Sequence, residues 1–175
     1  MEVKFTKTER AIFVYLFKIL QNQNDNDFDY ENLIKALQCG FSLHYDEVFL
    51  GLYDEELSRE ECLEVLDILE MYRGIIYSYN ILRSAGKCSK LSDPIVKFPG
   101  FDGNNETKQL AYTQYFIMDL KRYSEINEIS EGYYNSHCPM LNKYRNMLQK
   151  WNEYKSLPNR YEMNEEQILT LLSIN

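Results

Sequence analysis

Four carboxylates form the most regular chemical pattern in this chain. Glu61, Glu64, Asp67 and Glu70 recur at every third residue within a run that reads as a helix. Carboxylates three or four residues apart converge on one helix face, and helices that bind Mg²⁺ for pyrophosphate chemistry use such pairs. The spacing therefore supports one enzymatic hypothesis, hydrolysis of a nucleotide pyrophosphate with Mg²⁺.

The same four carboxylates also have a simpler interpretation. A Mg²⁺ site of this kind needs a second helix with a matching acidic pair, and the later helices do not supply one. Asp119 and Glu125 are six residues apart and flank Lys121 and Arg122. An acidic first turn is favoured by the helix dipole, so the array is also typical of a solvated face. A Mg-dependent all-α nucleotide pyrophosphohydrolase-like enzyme stays the alternative, and we assign no catalytic residue, metal site or cofactor.

The histidines and cysteines do not form a recognisable catalytic or metal-binding motif. His44 and His137 lack the helical spacings of zinc and di-iron sites. After His137-Cys138, Arg145 comes one residue too late for a phosphatase loop. The four cysteines share no metal-ligand spacing, which indicates free thiols in a reducing compartment. We therefore expect a cytoplasmic protein.

A second candidate site surrounds a Pro-Gly turn. Phe98 and Phe101 flank the turn, and Asp102 could accept hydrogen bonds from its own turn. One interpretation is a buried turn that clamps two helices. The alternative is the wall of a ligand or partner groove, formed by Phe98, Gly100, Phe101 and Asp102.

Charge is unevenly distributed along the chain, whose formal net charge is −8. Residues 1–80 hold 16 acids and 7 bases, whereas residues 81–175 hold 11 acids and 12 bases. An acidic chain repels phosphate backbones, so we expect no nucleic-acid partner. An N-terminal helix-turn-helix that binds DNA would have to lie in the acidic half, whose charge opposes DNA binding.

The second half of the chain contains a basic patch. It is either a solvated helix face or a docking surface for an acidic partner, such as the acidic half of another copy. Lys143 and Arg145 are its candidate binding residues. The patch comprises Lys143, Arg145, Lys150, Lys155 and Arg160.

Helical periodicity dominates the chain, and no segment alternates with a period of two. The sequence predicts a long helix over 59–84, capped by Ser58 and Glu61, and Gly74 and Ser78 would let another helix approach it closely. The fold class is all-α, an irregular bundle of six or seven helices around this long central helix. We expect one helical domain over 1–175.

Shorter helices are predicted on both sides of the long one. On the first of them, Ile12, Tyr15, Leu16, Ile19 and Leu20 share one face. The apolar run 11–20 contains a lysine and is too short to span a bilayer, so we expect no membrane anchor. Burial of Ile95, Val96, Phe98 and Phe101 should anchor the irregular segment 85–104. The shorter helices cover about 6–21, 30–38, 45–53 and 105–126, with two more beginning near Pro139 and Asn164.

Five sequence blocks resemble the YfbU family of bacterial proteins. They are G-F-S-L at 40–43, D-I-L-E-M-Y at 67–72, G-F-D at 100–102, K-Y-R-N-M-L-x-x-W at 143–151 and N-R-Y-E-M-N-E-E-Q-I at 159–168. Their order and spacing match along nearly the whole chain. The lysine-rich loop at 87–97 departs from the pattern and looks longer than usual.

The resemblance implies a compact helical fold that is cytosolic and prone to self-association. It implies no catalytic residue, because the family carries no assigned activity. The leading hypothesis is therefore a non-enzymatic interaction or regulatory protein that acts as a homo-oligomer, with another protein as the second kind of partner.

Overall fold

The computed structural model describes residues 3–23, 29–53, 55–155 and 161–174, without the side chain of residue 155. Within these ranges the chain forms helices and no strand; Phe101 and Asn135 form one isolated bridge. The predicted all-α class is confirmed. The α-helices are α1 (Lys7–Asn22), α2 (Tyr30–Cys39), α3 (Arg59–Ser84), α4 (Asp93–Val96), α5 (Thr107–Gln114), α6 (Ser124–Ser130), α7 (Leu141–Lys155) and α8 (Glu165–Leu172), with a 3₁₀-helix at Ser42–Phe49 and a π-helical turn at Tyr115–Asp119.

The prediction of one continuous helix over 105–126 is wrong. The chain passes from α5 into the π-helical turn, and Lys121 and Tyr123 then adopt left-handed φ angles of 52° and 50°. The Tyr123 ring lies against the Arg73 guanidinium, 4.7 Å away, and against the edge of Phe116 at 5.2 Å. These tertiary contacts override the local helical pattern, which continues without a glycine or proline through this segment.

The chain divides into two compact units, 1–56 and 57–175. Hereafter they are unit 1 and unit 2. The single domain predicted over 1–175 stays a prediction. No helix in the described ranges is both long and apolar enough to cross a bilayer.

Unit 2 is organised on α3, which contacts α4, α5, α6, α7 and α8. Its N-terminus carries the predicted reciprocal cap: the Ser58 hydroxyl accepts a hydrogen bond from the Glu61 amide, and the Glu61 carboxylate accepts one from the Ser58 amide. Aromatic rings fill much of the core around this helix. The largest fully buried side chains are Trp151, Tyr72, Tyr134, Tyr144, Phe98 and Phe101.

The close approach predicted at Gly74 and Ser78 is confirmed. A Cβ atom at Gly74 would lie 2.4 Å from the Trp151 ring of α7, so only glycine fits without displacement. The Ser78 hydroxyl donates to the Gly74 carbonyl at 2.8 Å and accepts from the Met163 amide at 3.1 Å. Gly74 and Ser78 are small, so α7 and the segment before α8 can pack closely against α3.

One carboxylate fastens α8 to the segment that precedes α4. Glu165 accepts hydrogen bonds from the amides of Ser89, Lys90 and Leu91, at 2.6–3.3 Å, and from the Ser89 hydroxyl. The Lys90 amide and the Ser89 hydroxyl, together with the other two amides, lower the pKa of Glu165 to about 2. The ionised carboxylate therefore holds two segments of unit 2 together.

Unit 1 is smaller and consists of α1, α2 and the 3₁₀-helix. The Thr6 hydroxyl and Glu9 carboxylate form a reciprocal cap at the start of α1. Phe5 lies against the rings of Phe13, Tyr45 and Phe49, with centroids 5.0–5.8 Å apart. The buried apolar core of this unit comprises Val14, Leu33, Ile34, Leu37 and Tyr45.

Candidate interaction surface

The predicted acidic array is largely engaged in contacts within the fold. Glu61 belongs to the α3 cap, and Glu64 forms a two-pronged ion pair with Arg145 at 2.6 and 2.9 Å. Glu70 accepts a hydrogen bond from the Tyr161 hydroxyl, while Asp67 is exposed. In the part of the chain that the structure describes, no group of three or more His, Cys, Asp or Glu side chains could hold a metal ion. The enzymatic alternative thus gains no ligand set from these residues.

The Pro-Gly turn lies inside unit 2. Phe98 and Phe101 are completely buried, with ring centroids 5.8 and 5.5 Å from that of Tyr144. The Tyr144 hydroxyl donates to the Gly100 carbonyl at 2.7 Å, and burial raises the pKa of Tyr144 well above its ordinary value. Gly100 has a φ of +89°, and a Cβ atom there would lie 1.7 Å from the Tyr134 carbonyl oxygen. The geometry is that of a clamp within the core.

Two carboxylates complete this clamp. Asp102 accepts hydrogen bonds from the Asn104 amide and the Asn105 side chain, which lower its pKa. Buried Glu106 accepts from the amides of Asp102, Met140 and Leu141 at 2.8–3.0 Å, and so caps the start of α7. Sequence reasoning missed Glu106, because two of its partners lie 34 and 35 residues away along the chain. The ligand-binding role predicted for Phe98, Gly100, Phe101 and Asp102 stays a prediction.

The predicted basic patch is partly neutralised within the fold. Arg145 pairs with Glu64, and the Lys150 ammonium lies 2.5 Å from the Glu153 carboxylate. Lys143 is half-buried. The side chains of Lys155 and Arg160 lie outside the described residues. Binding through Lys143 and Arg145 stays a prediction. An acidic partner that binds Arg145 would share this side chain with Glu64 or displace Glu64 from it.

The histidines pair with neighbouring side chains. His44 lies 2.8 Å from the Glu47 carboxylate, and His137 contacts the Tyr133 hydroxyl. All four cysteines are free thiols, and Cys39 and Cys138 are exposed. Among these residues, no hydrogen bond joins a cysteine to a histidine.

The outer face of α1 carries a continuous exposed apolar stripe. Its spacing is that of one helix face, and the side chains keep about half or more of their surface in solvent. The opposite face, with Phe13, Val14 and Phe17, packs into the core of unit 1. The sequence placed the stripe residues and Leu20 on one face; the structure shows that Leu20 is half-buried and that the rest face outward. The stripe consists of Ile12 (60% exposed), Tyr15 (68%), Leu16 (46%) and Ile19 (56%).

More apolar side chains of unit 1 are exposed beyond the stripe. Phe41 and Leu50 line a cleft of about 630 Å³ between α2 and the 3₁₀-helix. Large exposed apolar patches on a soluble protein often mark interaction sites. The additional exposed residues are Phe41, Leu43, Phe49, Leu50, Leu52 and Tyr53.

Comparison with known proteins finds matches along nearly the whole chain. A family model described as the YfbU domain matches residues 3–173. The UPF0304 protein MJECS11 of Methanocaldococcus jannaschii is 34% identical over 171 residues, which cover 96% of this chain and 98% of that protein. A UPF0304 protein of Histophilus somni is 29% identical over 172 residues, with 98% and 99% covered. These names state no activity.

Proposed function

The chain belongs to the YfbU family, and we propose that it is a non-enzymatic interaction protein that self-associates through the outer face of α1. The observation that carries the proposal is the stripe formed by Ile12, Tyr15, Leu16 and Ile19. A helix that is apolar on two faces needs a partner for each. The core of unit 1 covers one face, and a second copy covers the other.

The energetics of the stripe favour reversible association. Burying a large apolar side chain completely contributes about 1.5–3 kcal/mol. The four stripe residues are about half exposed, so covering them contributes on the order of 3–6 kcal/mol per copy. Because complex formation costs about 4–15 kcal/mol, this gain supports an oligomer that forms and dissociates with concentration.

A second copy is a better occupant than a membrane surface. The chain carries a net charge of −8, which opposes binding to anionic headgroups. Symmetric self-association is the commonest way in which soluble proteins cover such a surface. The free thiols fit a reducing compartment, so we place the oligomer in the cytoplasm.

Contacts within unit 2 support the non-enzymatic part of the proposal. Three of the four carboxylates in the candidate metal array already serve the cap, the Arg145 ion pair and the Tyr161 hydrogen bond. The buried clamp around Gly100 is filled by aromatic rings. In the described residues, both arrangements thus have structural partners within unit 2.

Sedimentation velocity across the micromolar range tests the proposal. The wild-type chain should shift toward larger species as concentration rises, whereas Ile12→Lys/Ile19→Lys should remain a monomer of unchanged helicity. Ile95→Lys/Leu120→Lys replaces two exposed apolar residues of unit 2 and should associate like the wild type.

Two outcomes would overturn the proposal. A wild-type chain that is monomeric at every concentration leaves the stripe without a second copy. Co-sedimentation with phosphatidylserine vesicles that is lost in Ile12→Lys/Ile19→Lys, without self-association, would assign the stripe to a membrane surface instead.

A further inference from the structure

A basic groove lies beside the apolar stripe. It has a volume of about 340 Å³ and runs between α1 and α2. Lys7, Arg10 and Lys18 line it, and none of its described lining residues carries a carboxylate. Its apolar part is formed by Ala11, Val14, Tyr15 and Leu37. The groove therefore combines positive charge with an apolar floor.

The Arg10 side chain is held in place across this groove. Its Nη1 donates to the Leu37 carbonyl at 3.1 Å, which fixes the guanidinium between the two helices. Its Nε is buried and has no hydrogen-bond partner among the residues that the structure describes. A buried N–H of a guanidinium without an acceptor is costly, so the groove favours a ligand that brings negative charge.

The charge of the groove contrasts with the rest of its unit. Residues 1–56 contain five basic residues, and three of them line this groove. Lys7 and Lys18 form no ion pair within the described ranges. In a chain with net charge −8, this concentration of unpaired cations indicates an acidic partner.

The exposed start of α3 supplies a matching acidic surface. Glu60, Leu63 and Asp67 lie on one helix face, at spacings of three and four residues, and all three are exposed. Their neighbours Glu61 and Glu64 are used by the cap and by Arg145. Glu60 and Asp67 have no ion pair in the part of the chain that is described, so both carboxylates are available.

The two surfaces also agree in length. Arg10 and Lys18 are eight residues apart, or about 12 Å along a helix. Glu60 and Asp67 are seven residues apart, or about 10 Å. Leu63, which is 49% exposed, lies between the two acids and can contact the apolar floor. A single small anion would be too short to reach both cations.

We propose that the groove of Lys7, Arg10 and Lys18 docks the Glu60–Leu63–Asp67 face of α3 in a second copy of the chain. This inference rests on the proposed self-association and names the surface that the α1 region meets. The contact joins two different surfaces, so repetition of it builds a ring or an open chain of copies. Opposite charges set the register, while the adjacent apolar stripe contributes most of the buried area.

Charge reversal on each side tests this docking. One variant is Lys7→Glu/Lys18→Glu, which leaves the fixed Arg10 unchanged, and the other is Glu60→Lys/Asp67→Lys. Each alone should lower the self-association constant roughly tenfold or more, and added salt should weaken wild-type association. An equimolar mixture of the two variants should regain association, because the reversed groove of one fits the reversed α3 of the other.

Controls separate this inference from the proposed function. Lys87→Glu/Lys121→Glu reverses two exposed lysines elsewhere and should associate like the wild type. If Ile12→Lys/Ile19→Lys is monomeric but both charge-reversal variants associate normally, the docking is wrong and self-association stands. Failure of the mixture to associate would also overturn the docking, whereas a monomeric wild type would overturn both.

Discussion

The two units differ in how fully their polar groups find partners, and their apolar side chains are buried, within the unit itself. In unit 2, side chains and backbone amides distant in sequence meet as partners, as Glu106 does with Met140 and Glu165 does with Ser89. In unit 1, one face of α1 forms the core and the other face is apolar but exposed. This contrast is what we expect if the chain associates through the outer face of α1, as proposed above.

Size explains part of the difference. A small unit buries a smaller fraction of its surface than a large one, so it has fewer positions at which an apolar side chain can be covered. Unit 1 still places large apolar residues on both faces of α1. Selection for solubility alone would replace the outer ones, and their presence is expected when another surface covers them.

The largest effect should come from the clamp carboxylate of unit 2. Glu106→Ala leaves three amides without their acceptor, and we expect a loss of about 4 kcal/mol in the free energy of unfolding. Urea denaturation followed by the fluorescence of buried Trp151 measures it. Glu106→Gln keeps one acceptor oxygen and should lose less, and exposed Glu128→Ala should change little. A loss below about 1 kcal/mol for Glu106→Ala would contradict the clamp.

The next effect should come from the contact between α3 and α7. Replacing a helical glycine by alanine ordinarily stabilises a helix by about 1 kcal/mol. Gly74→Ala should instead destabilise unit 2 by about 2 kcal/mol, because the new methyl group overlaps the Trp151 ring. Thermal unfolding followed by circular dichroism gives the sign. In a Trp151→Leu background the penalty should shrink or reverse, and an undiminished penalty there would refute the contact.

A smaller effect should appear as acid sensitivity of unit 2. The pKa of Glu165 is lowered from 4.5 to about 2 in the folded chain, so its contribution is complete above the unfolded pKa and is lost as pH falls from about 4.5 toward 2. Glu165→Gln should lower stability at neutral pH and reduce the pH dependence in that window. The neighbouring exposed Glu166→Gln is the matched control. Equal acid titration curves for the two variants would show that the Glu165 contacts do not contribute.

The smallest effect on stability should come from the outer face of α1. In dilute, monomeric protein, Ile12→Ser should change the free energy of unfolding by no more than about 0.5 kcal/mol. Leu37→Ala, in the core of the same unit, should cost about 3 kcal/mol. Denaturation followed by circular dichroism compares them. Equal losses would mean that the outer face is part of the core of unit 1, and the contrast between the units would fail.

The sequence predicted local features well and contacts between distant segments poorly. The cap at Ser58 and the range of α3 follow from residue types within a few positions. The break near Tyr123 and the role of Glu106 depend on partners far along the chain, which no local pattern contains. Ile95 was predicted to be buried and is exposed, because a short apolar run does not show which of its residues face the core.

Local sequence also fails to predict which face of α1 is buried and which partners the acidic residues of α3 contact. Helical spacing groups Ile12 with Tyr15, but it does not decide which of two apolar faces the core will cover. The spacing of Glu64 and Glu70 is equally compatible with a metal site and with structural partners. The fold places Arg145 against Glu64 and Tyr161 against Glu70, and the spacing alone predicts neither contact.

Hydrogen exchange measured at several protein concentrations tests the central claim most directly. If a second copy covers the outer face of α1, amides in Lys7–Asn22 should become more protected as concentration rises, and the largely buried stretch of α3 at 68–76 should not change. The protection in α1 should be absent in Ile12→Lys/Ile19→Lys. Exchange in α1 that is independent of concentration, in a chain that is otherwise folded, would contradict the account.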